Sequence, residues 1–179
     1  MKRFLPLMLL VVLTVPVIAQ LQVPGPDNSI KVGEMAPDFT IPAAQRGQPG
    51  SSLTDMIKSK NVLIMFFPGA FTPGCTTEFT NAGIHYDKFT ALNVEMIGIS
   101  RDQPGALAEF KKSVGAKNTF VSDLEHTIAT KYGAATPNRS TSRYYYLVDS
   151  TGKVIWKDTS NRVLDTEKLA ADIATVLKK

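Results

Sequence analysis

The sequence predicts an α/β protein whose sheet is sandwiched between helical layers, and three observations carry that expectation. Two short, mostly apolar, β-prone runs, Val62–Phe67 and Val94–Ser100, are bounded by turn residues and read as buried strands. Each leads into a stretch of helical character: Phe79, Ala82, Tyr86 and Phe89 recur at helical spacing after the first, and Pro104 opens a helix after the second. The alternation then gives way to a hairpin, Tyr144–Val148 and Val154–Trp156 about the turn Asp149-Ser150-Thr151-Gly152. A terminal helix follows, its buried face marked by Leu169, Ile173, Val176 and Leu177. Alternating strands and helices that end in a hairpin and a helix pack as a three-layer sandwich with a mixed central sheet.

Taken in order, Lys2 and Arg3 precede the uncharged run Phe4–Ile18, and Val17-Ile18-Ala19 offers small residues of the kind a signal peptidase reads. Residues 1–19 are therefore expected to be a cleaved export signal, leaving a periplasmic or secreted chain with no stable membrane insertion. A retained anchor is the competing expectation. The run falls short of the ~20 apolar residues that cross a bilayer comfortably, and Pro6 and Pro16 interrupt it. Residues 20–32 contain Pro24-Gly25-Pro26-Asp27-Asn28 and read as a flexible lead-in, with residues 33–179 as one domain. Within it, Pro37–Ile41 reads as a short strand, Pro42–Gly50 as a loop and Ser52–Asp55 as a helical turn. The helix after Val62–Phe67 is expected from about Pro73 to Ala91. Asp102-Gln103-Pro104 supplies a cap and a start for the next helix, and Gly115 its end. Thr119–Ser122 reads as a strand and Ile128–Tyr132 as a brief helix. Lys178 and Lys179 complement the dipole of the last helix.

Charge narrows the function. The chain carries 20 Lys and Arg against 16 Asp and Glu, and without Lys2 and Arg3 the excess falls to two. With no basic stripe interleaved with aromatics, nucleic acid is not an expected partner. His85 and His126 form no metal-ligand spacing with each other or with the one cysteine, so neither metal nor cofactor is expected, and surface or capping roles suit both. Asn138-Arg139-Ser140 fits a glycosylation acceptor by chance.

The chemistry converges on Cys75. A lone cysteine excludes an internal disulfide, and in an oxidising compartment it reads as a reactive thiol or a site of intermolecular pairing. It sits on the first turn of a helix leaving a core strand, where unpaired N–H groups and the dipole favour the thiolate. Such positions lower a thiol pKa from ~8.5 to roughly 3.5–7.5. Thr72, three residues earlier, brings a hydroxyl within reach of the sulfur or of an attacked oxygen. Pro73 suits the first helical turn and Gly74 a close backbone approach. The plain alternative is a buried, inert small hydrophobe.

Pro68-x-x-x-Thr72-x-x-Cys75 resembles the peroxidatic motif of the peroxiredoxins, and Phe71-Thr72-Pro73-Gly74-Cys75-Thr76-Thr77-Glu78 is similar to the peroxiredoxin Q (bacterioferritin comigratory protein) branch. Gly33–Phe39, Asn118–Gly133 and Tyr144–Gly152 extend the resemblance over nearly all of the mature chain. It implies the thioredoxin-like version of the three-layer fold and a thiol peroxidase for hydrogen peroxide or organic hydroperoxides. Cys75 is then the nucleophile, with Thr72 beside it and Pro68 in support. The resemblance places the assisting arginine six residues before the aspartate of the hairpin turn, which is Arg143 before Asp149. Arg139 and Arg101 compete and read as solvated charges. Glu78, one turn beyond Cys75 on the same side, is expected to orient Arg143 or to serve as a first-turn acid. The Cys75 N–H is a further expected donor.

One departure sets the cycle. Many members of that branch carry a resolving cysteine five residues after the first, and here that position is Thr80. The expected partner is therefore an external thiol: a thioredoxin-like protein, a glutaredoxin or a small thiol. Monomer and homodimer are both open. The alternatives are a disulfide-handling protein of the same fold, disfavoured because Thr72 stands where a second cysteine belongs, and a mixed-disulfide binding protein of the cell envelope. A copper chaperone lacks its second cysteine and a paired histidine.

Overall fold

The structure is a computed structural model that describes residues 27–43 and 49–178. The expected export signal and lead-in residues 20–26 lie outside the described residues, as does 44–48 of the loop before Gly50. The described elements are β1 (Thr40–Ile41), β2 (Ser51–Ser52), α1 (Leu53–Ile57), β3 (Asn61–Phe66), α2 (Pro73–Ile84), α3 (Tyr86–Thr90) and β4 (Val94–Ser100). They continue with α4 (Pro104–Ser113), β5 (Thr119–Ser122), α5 (Thr127–Lys131), β6 (Tyr145–Val148), β7 (Val154–Asp158) and α6 (Thr166–Val176).

The main sheet has the order β5-β4-β3-β6-β7. β3 lies at its centre, parallel to β4 with Leu63 opposite Met96, and antiparallel to β6 with Leu63 opposite Leu147. A strand paired on both sides and covered on both faces has no solvent face, which is why residues 62–66 run apolar without alternation. Its side chains still alternate in direction. Leu63 and Met65, with Phe67 just beyond the strand, join Phe79 of α2, Phe110 of α4 and Ile173 of α6. Val62, Ile64 and Phe66 face the other way and join Leu53 of α1, Ala129 of α5 and Tyr132. These two clusters flanking one mixed sheet are the three layers of the thioredoxin-like fold.

Four expectations need correction. The helix read through Ala91 breaks at His85, whose φ of −96° and ψ of 10° end α2 before α3 begins. The break returns Phe89 to the same buried cluster as Phe79 and Ala82, and His85 Nδ1 hydrogen-bonds Thr166 Oγ1 of α6 at 2.8 Å. Asp102 does not cap α4: Gln103 holds the N-cap position without a side-chain bond. His126 is not a surface residue but is buried in the left-handed region ahead of α5, with Nε2 2.8 Å from Thr141 Oγ1. The capping carboxylate there is Asp123, which accepts from the Ile128 N–H at 3.1 Å and the Ala129 N–H at 2.8 Å. Finally, the end of the lead-in is docked. Ser29 is buried and accepts from Lys157 Nζ at 2.7 Å, and a Cβ on Gly133 (φ +69°) would meet the Asn28 carbonyl at 2.5 Å.

A candidate active site at the start of α2

β3 delivers the chain into the loop before α2, and Asp102 pins that loop to the neighbouring strand. Its Oδ2 accepts from the Ala70 N–H at 2.8 Å and from Ser100 Oγ, at the end of β4, at 2.7 Å. Pro68 is exposed on this loop. Phe71 adopts φ +61° and lays its ring edge-on against Phe110 at 5.3 Å. Thr72 occupies the N-cap position in extended conformation, but its hydroxyl turns back to donate to the Gly69 carbonyl at 3.0 Å. With its one proton used there, Thr72 donates nothing to the sulfur, so the expected contact is replaced by a loop-closing bond.

The missing cap leaves the helix start open. The Thr76 N–H closes the first turn onto the Thr72 carbonyl at 2.8 Å, and Pro73 has no N–H. The Gly74 and Cys75 N–H groups have no partner among the described residues. Unpaired first-turn donors form an anion-favouring end.

Cys75 is 0% exposed. The Arg143 guanidinium donates from Nη2 to its sulfur at 3.1 Å and from Nε to Glu78 Oε2 at 2.9 Å. Glu78, 1% exposed, takes the Tyr145 hydroxyl on its other oxygen, Oε1, at 2.6 Å. Asn161 holds the arginine from behind, its Oδ1 accepting from the Arg143 N–H at 2.7 Å. Gly74 lies under the guanidinium: a Cβ there would sit 3.5 Å from Arg143 Nη2 and from Val163 Cγ2. The sequence-based site thus assembles around Cys75, Arg143 and Glu78, while Pro68 and Thr72 shape the loop. Arg101 is elsewhere, donating from Nη1 to the Arg139 carbonyl at 2.8 Å, and Arg139 is exposed.

Electrostatics tighten this group. Burial pushes the Glu78 carboxyl up from its ordinary value, against the hydrogen bonds from Tyr145 and Arg143 that pull it down. Burial works against the Arg143 charge, but Glu78 outweighs it and holds the guanidinium above its ordinary value. The sign for stability follows from linkage. A carboxyl with a raised folded-state pKa binds its proton more tightly in the folded chain. Its stabilising contribution is full below the unfolded value of 4.5 and is lost as pH rises through the folded value. Urea unfolding at a series of pH values is expected to show this decline in the wild type and to lose it in Glu78→Gln. An unchanged pH dependence in that variant would contradict the assignment.

Three residues of this site were missed by sequence reasoning: Asp102, Tyr145 and Asn161. Tyr145 carried a usable signal, since it lies two residues beyond Arg143 at the start of the strand that pairs with β3. Asn161 carried none. It lies in the connection between β7 and α6, and only the tertiary fold brings it to Arg143.

The chain that carries this enclosed sulfur and its arginine donor is similar to known proteins in sequence and in fold. The AhpC/TSA family pattern matches residues 32–157. The chain belongs to the AhpC/TSA family. Peroxiredoxin Bcp of Escherichia coli strain K12 is 30% identical over 134 residues, covering 71% of this chain and 84% of the relative. The crystal structure of peroxidoxin BcpB from Mycobacterium tuberculosis superposes with a TM-score of 0.70 at 25% identity, over 83% of this chain and 97% of that one. The reduced 2-Cys peroxiredoxin of Plasmodium vivax superposes with a TM-score of 0.68 at 28% identity, over 83% and 99%. This AhpC/TSA member is a peroxiredoxin by kinship and in enzyme class a thiol-dependent peroxidase, an oxidoreductase.

Proposed function

We propose that the chain reduces hydrogen peroxide or organic hydroperoxides by a cycle that uses Cys75 alone. The observation that carries this reading is the Arg143 Nη2 donor 3.1 Å from the Cys75 sulfur at an open helix start. The Cys75 thiolate attacks one peroxide oxygen: a sulfur–oxygen bond forms, the oxygen–oxygen bond breaks, and the other oxygen leaves as hydroxide or alkoxide and takes up a proton. Arg143 and the free Cys75 N–H supply donors where that charge develops. The product is a sulfenic acid, with the sulfur oxidised and the peroxide reduced by two electrons.

Thr80, partly buried on α2, offers no sulfur, and Cys75 is the only cysteine of the chain. The sulfenic acid is therefore condensed with an external thiol and released by a second one, giving water, reduced Cys75 and an external disulfide. A thioredoxin-like protein, a glutaredoxin or a small thiol meets this need. Because Cys75 is enclosed, a protein thiol reaches it only when the first turn of α2 opens locally. The reaction takes place outside the cytoplasm, in the periplasm or after secretion, a reading supported by the charged-then-apolar residues 2–18.

The test is stopped-flow oxidation of the reduced protein by hydrogen peroxide and by an alkyl hydroperoxide. A free thiol is slow because only a few per cent is thiolate at pH 7 and its leaving oxygen is unassisted. Oxidation orders of magnitude faster than a free thiol is expected. The free-thiol rate with both oxidants would overturn the proposal and leave a mixed-disulfide binding protein.

A further inference from the structure

Among the described residues, Tyr145 is the side chain besides Arg143 that hydrogen-bonds the Glu78 carboxylate, and it has no part in the peroxide step itself. It opens β6, is 1% exposed, and packs its ring in the cluster that contains Phe79 and Cys75. A buried ring there needs no hydroxyl for packing. The hydroxyl instead reaches Glu78 Oε1 at 2.6 Å, with the Arg162 carbonyl more distant at 3.3 Å. Arg143 meets the other oxygen of the same carboxylate, so both oxygens of Glu78 are held by donors two residues apart in the chain, one just before β6 and one at its first position.

We propose that Tyr145 is a positioning residue for peroxide reduction: its phenol fixes the Glu78 carboxylate, which in turn aims the Arg143 guanidinium at the Cys75 sulfur. The proposal rests on the peroxidase reading above. The reasoning is geometric. Nε and Nη2 belong to one rigid plane, so the direction of the Nε bond to Glu78 sets the direction of the Nη2 bond to the sulfur. A carboxylate held on one oxygen alone can swing about its last torsion, which is broad. The phenol removes that freedom.

The same contact sets the charge of Glu78. The titratable groups facing it are Arg143 and Tyr145 from the sheet side and Cys75 one turn back on its own helix. Burial and the Glu78 charge push the Tyr145 phenol far above its ordinary value, so it remains a donor at every pH the protein meets. Its hydrogen bond lowers the Glu78 pKa against the effect of burial. Without the phenol, Glu78 takes its proton at higher pH and ceases to be an anionic acceptor for Arg143.

Tyr145→Phe keeps the ring and removes the oxygen. The experiment measures the second-order rate of Cys75 oxidation by hydrogen peroxide across pH in four proteins: wild type, Tyr145→Phe, Glu78→Gln and the double variant. Tyr145→Phe is expected to slow oxidation on the order of tenfold at neutral pH, with the acid limb of its profile moved to higher pH. In the Glu78→Gln background the same change is expected to cost nothing further, because its effect passes through the carboxylate. A Tyr145→Phe rate and profile equal to wild type would overturn the proposal, as would an equal loss in both backgrounds. Should Tyr145→Phe alone fold poorly, the comparison of Glu78→Gln with the double variant decides, since an uncharged amide tolerates loss of the phenol. If the wild type itself reacts as slowly as a free thiol, the peroxidase reading falls and this inference with it, an outcome distinct from a fast wild type indifferent to Tyr145.

Discussion

Replacing Cys75 by serine is expected to end peroxide consumption. With excess dithiothreitol as the external thiol, turnover should drop to the background of the reductant alone. The reason is chemical: a hydroxyl ionises far less readily than a thiol near neutral pH, and the oxygen cannot cycle through a sulfenic acid. No substitute exists in the chain, which has no second cysteine. Serine keeps an acceptor for Arg143 but places a hydroxyl in a buried apolar cluster, so the fold should persist with a loss of about 1–3 kcal/mol, checked by thermal unfolding. Retained turnover in a folded Cys75→Ser protein would refute the one-cysteine cycle. The expectation also reaches the oxidised wild type: non-reducing electrophoresis should show no internal disulfide, only adducts with added thiols.

Replacing Arg143 by alanine is expected to slow Cys75 oxidation by about 10²–10³, the cost of losing a preorganised donor at the developing charge. Arg143→Lys should recover little of this. One guanidinium serves Glu78 through Nε and the sulfur through Nη2 at once, and a single ammonium on a flexible stem cannot hold both directions. Stopped-flow rates for the two variants check the point, and a lysine variant as fast as wild type would show that charge alone suffices. The alanine variant also leaves Glu78 buried without its cation, which carries a penalty of about 3–5 kcal/mol when the survivor stays charged. Protonation of Glu78 relieves it, so the loss should be smaller at acid pH. Adding Glu78→Gln to Arg143→Ala should restore stability without restoring the rate, which separates the structural half of the ion pair from its chemical half.

How much of this was legible in the residues depends on the range of the forces involved. The loop–helix start around Cys75 was readable because Pro73, Gly74 and the apolar spacing of Phe79 and Ala82 act locally. The short strands were readable for the same reason, β4 and β5 at their observed bounds. The break at His85 was not, because Tyr86 and Phe89 keep helical spacing through it and only packing against α6 makes it useful. Thr72 was misread in detail. Its place before the helix was evident, but whether the hydroxyl turned to the sulfur or to Gly69 depended on how the loop closed. Asp102 looked like a cap by position and became a tether for the Ala70 amide, a partner 32 residues away.

The sequence by itself determined the alternation of the main-sheet strands with their helices, the single cysteine and its seat on the first turn of a helix. Those follow from patterns a few residues long and from the count of one cysteine. Resemblance singled out Arg143 and Glu78. Only the tertiary structure decided that Arg143 meets Cys75 across 68 residues, that Glu78 meets Arg143 across 65, and that Tyr145 closes the set from 67 residues away. Each bond joins α2 to the first residue of the strand lying antiparallel beside β3 or to the segment that leads into it. No local preference encodes such a pairing; it exists because burying both faces of β3 forces that helix and that strand together.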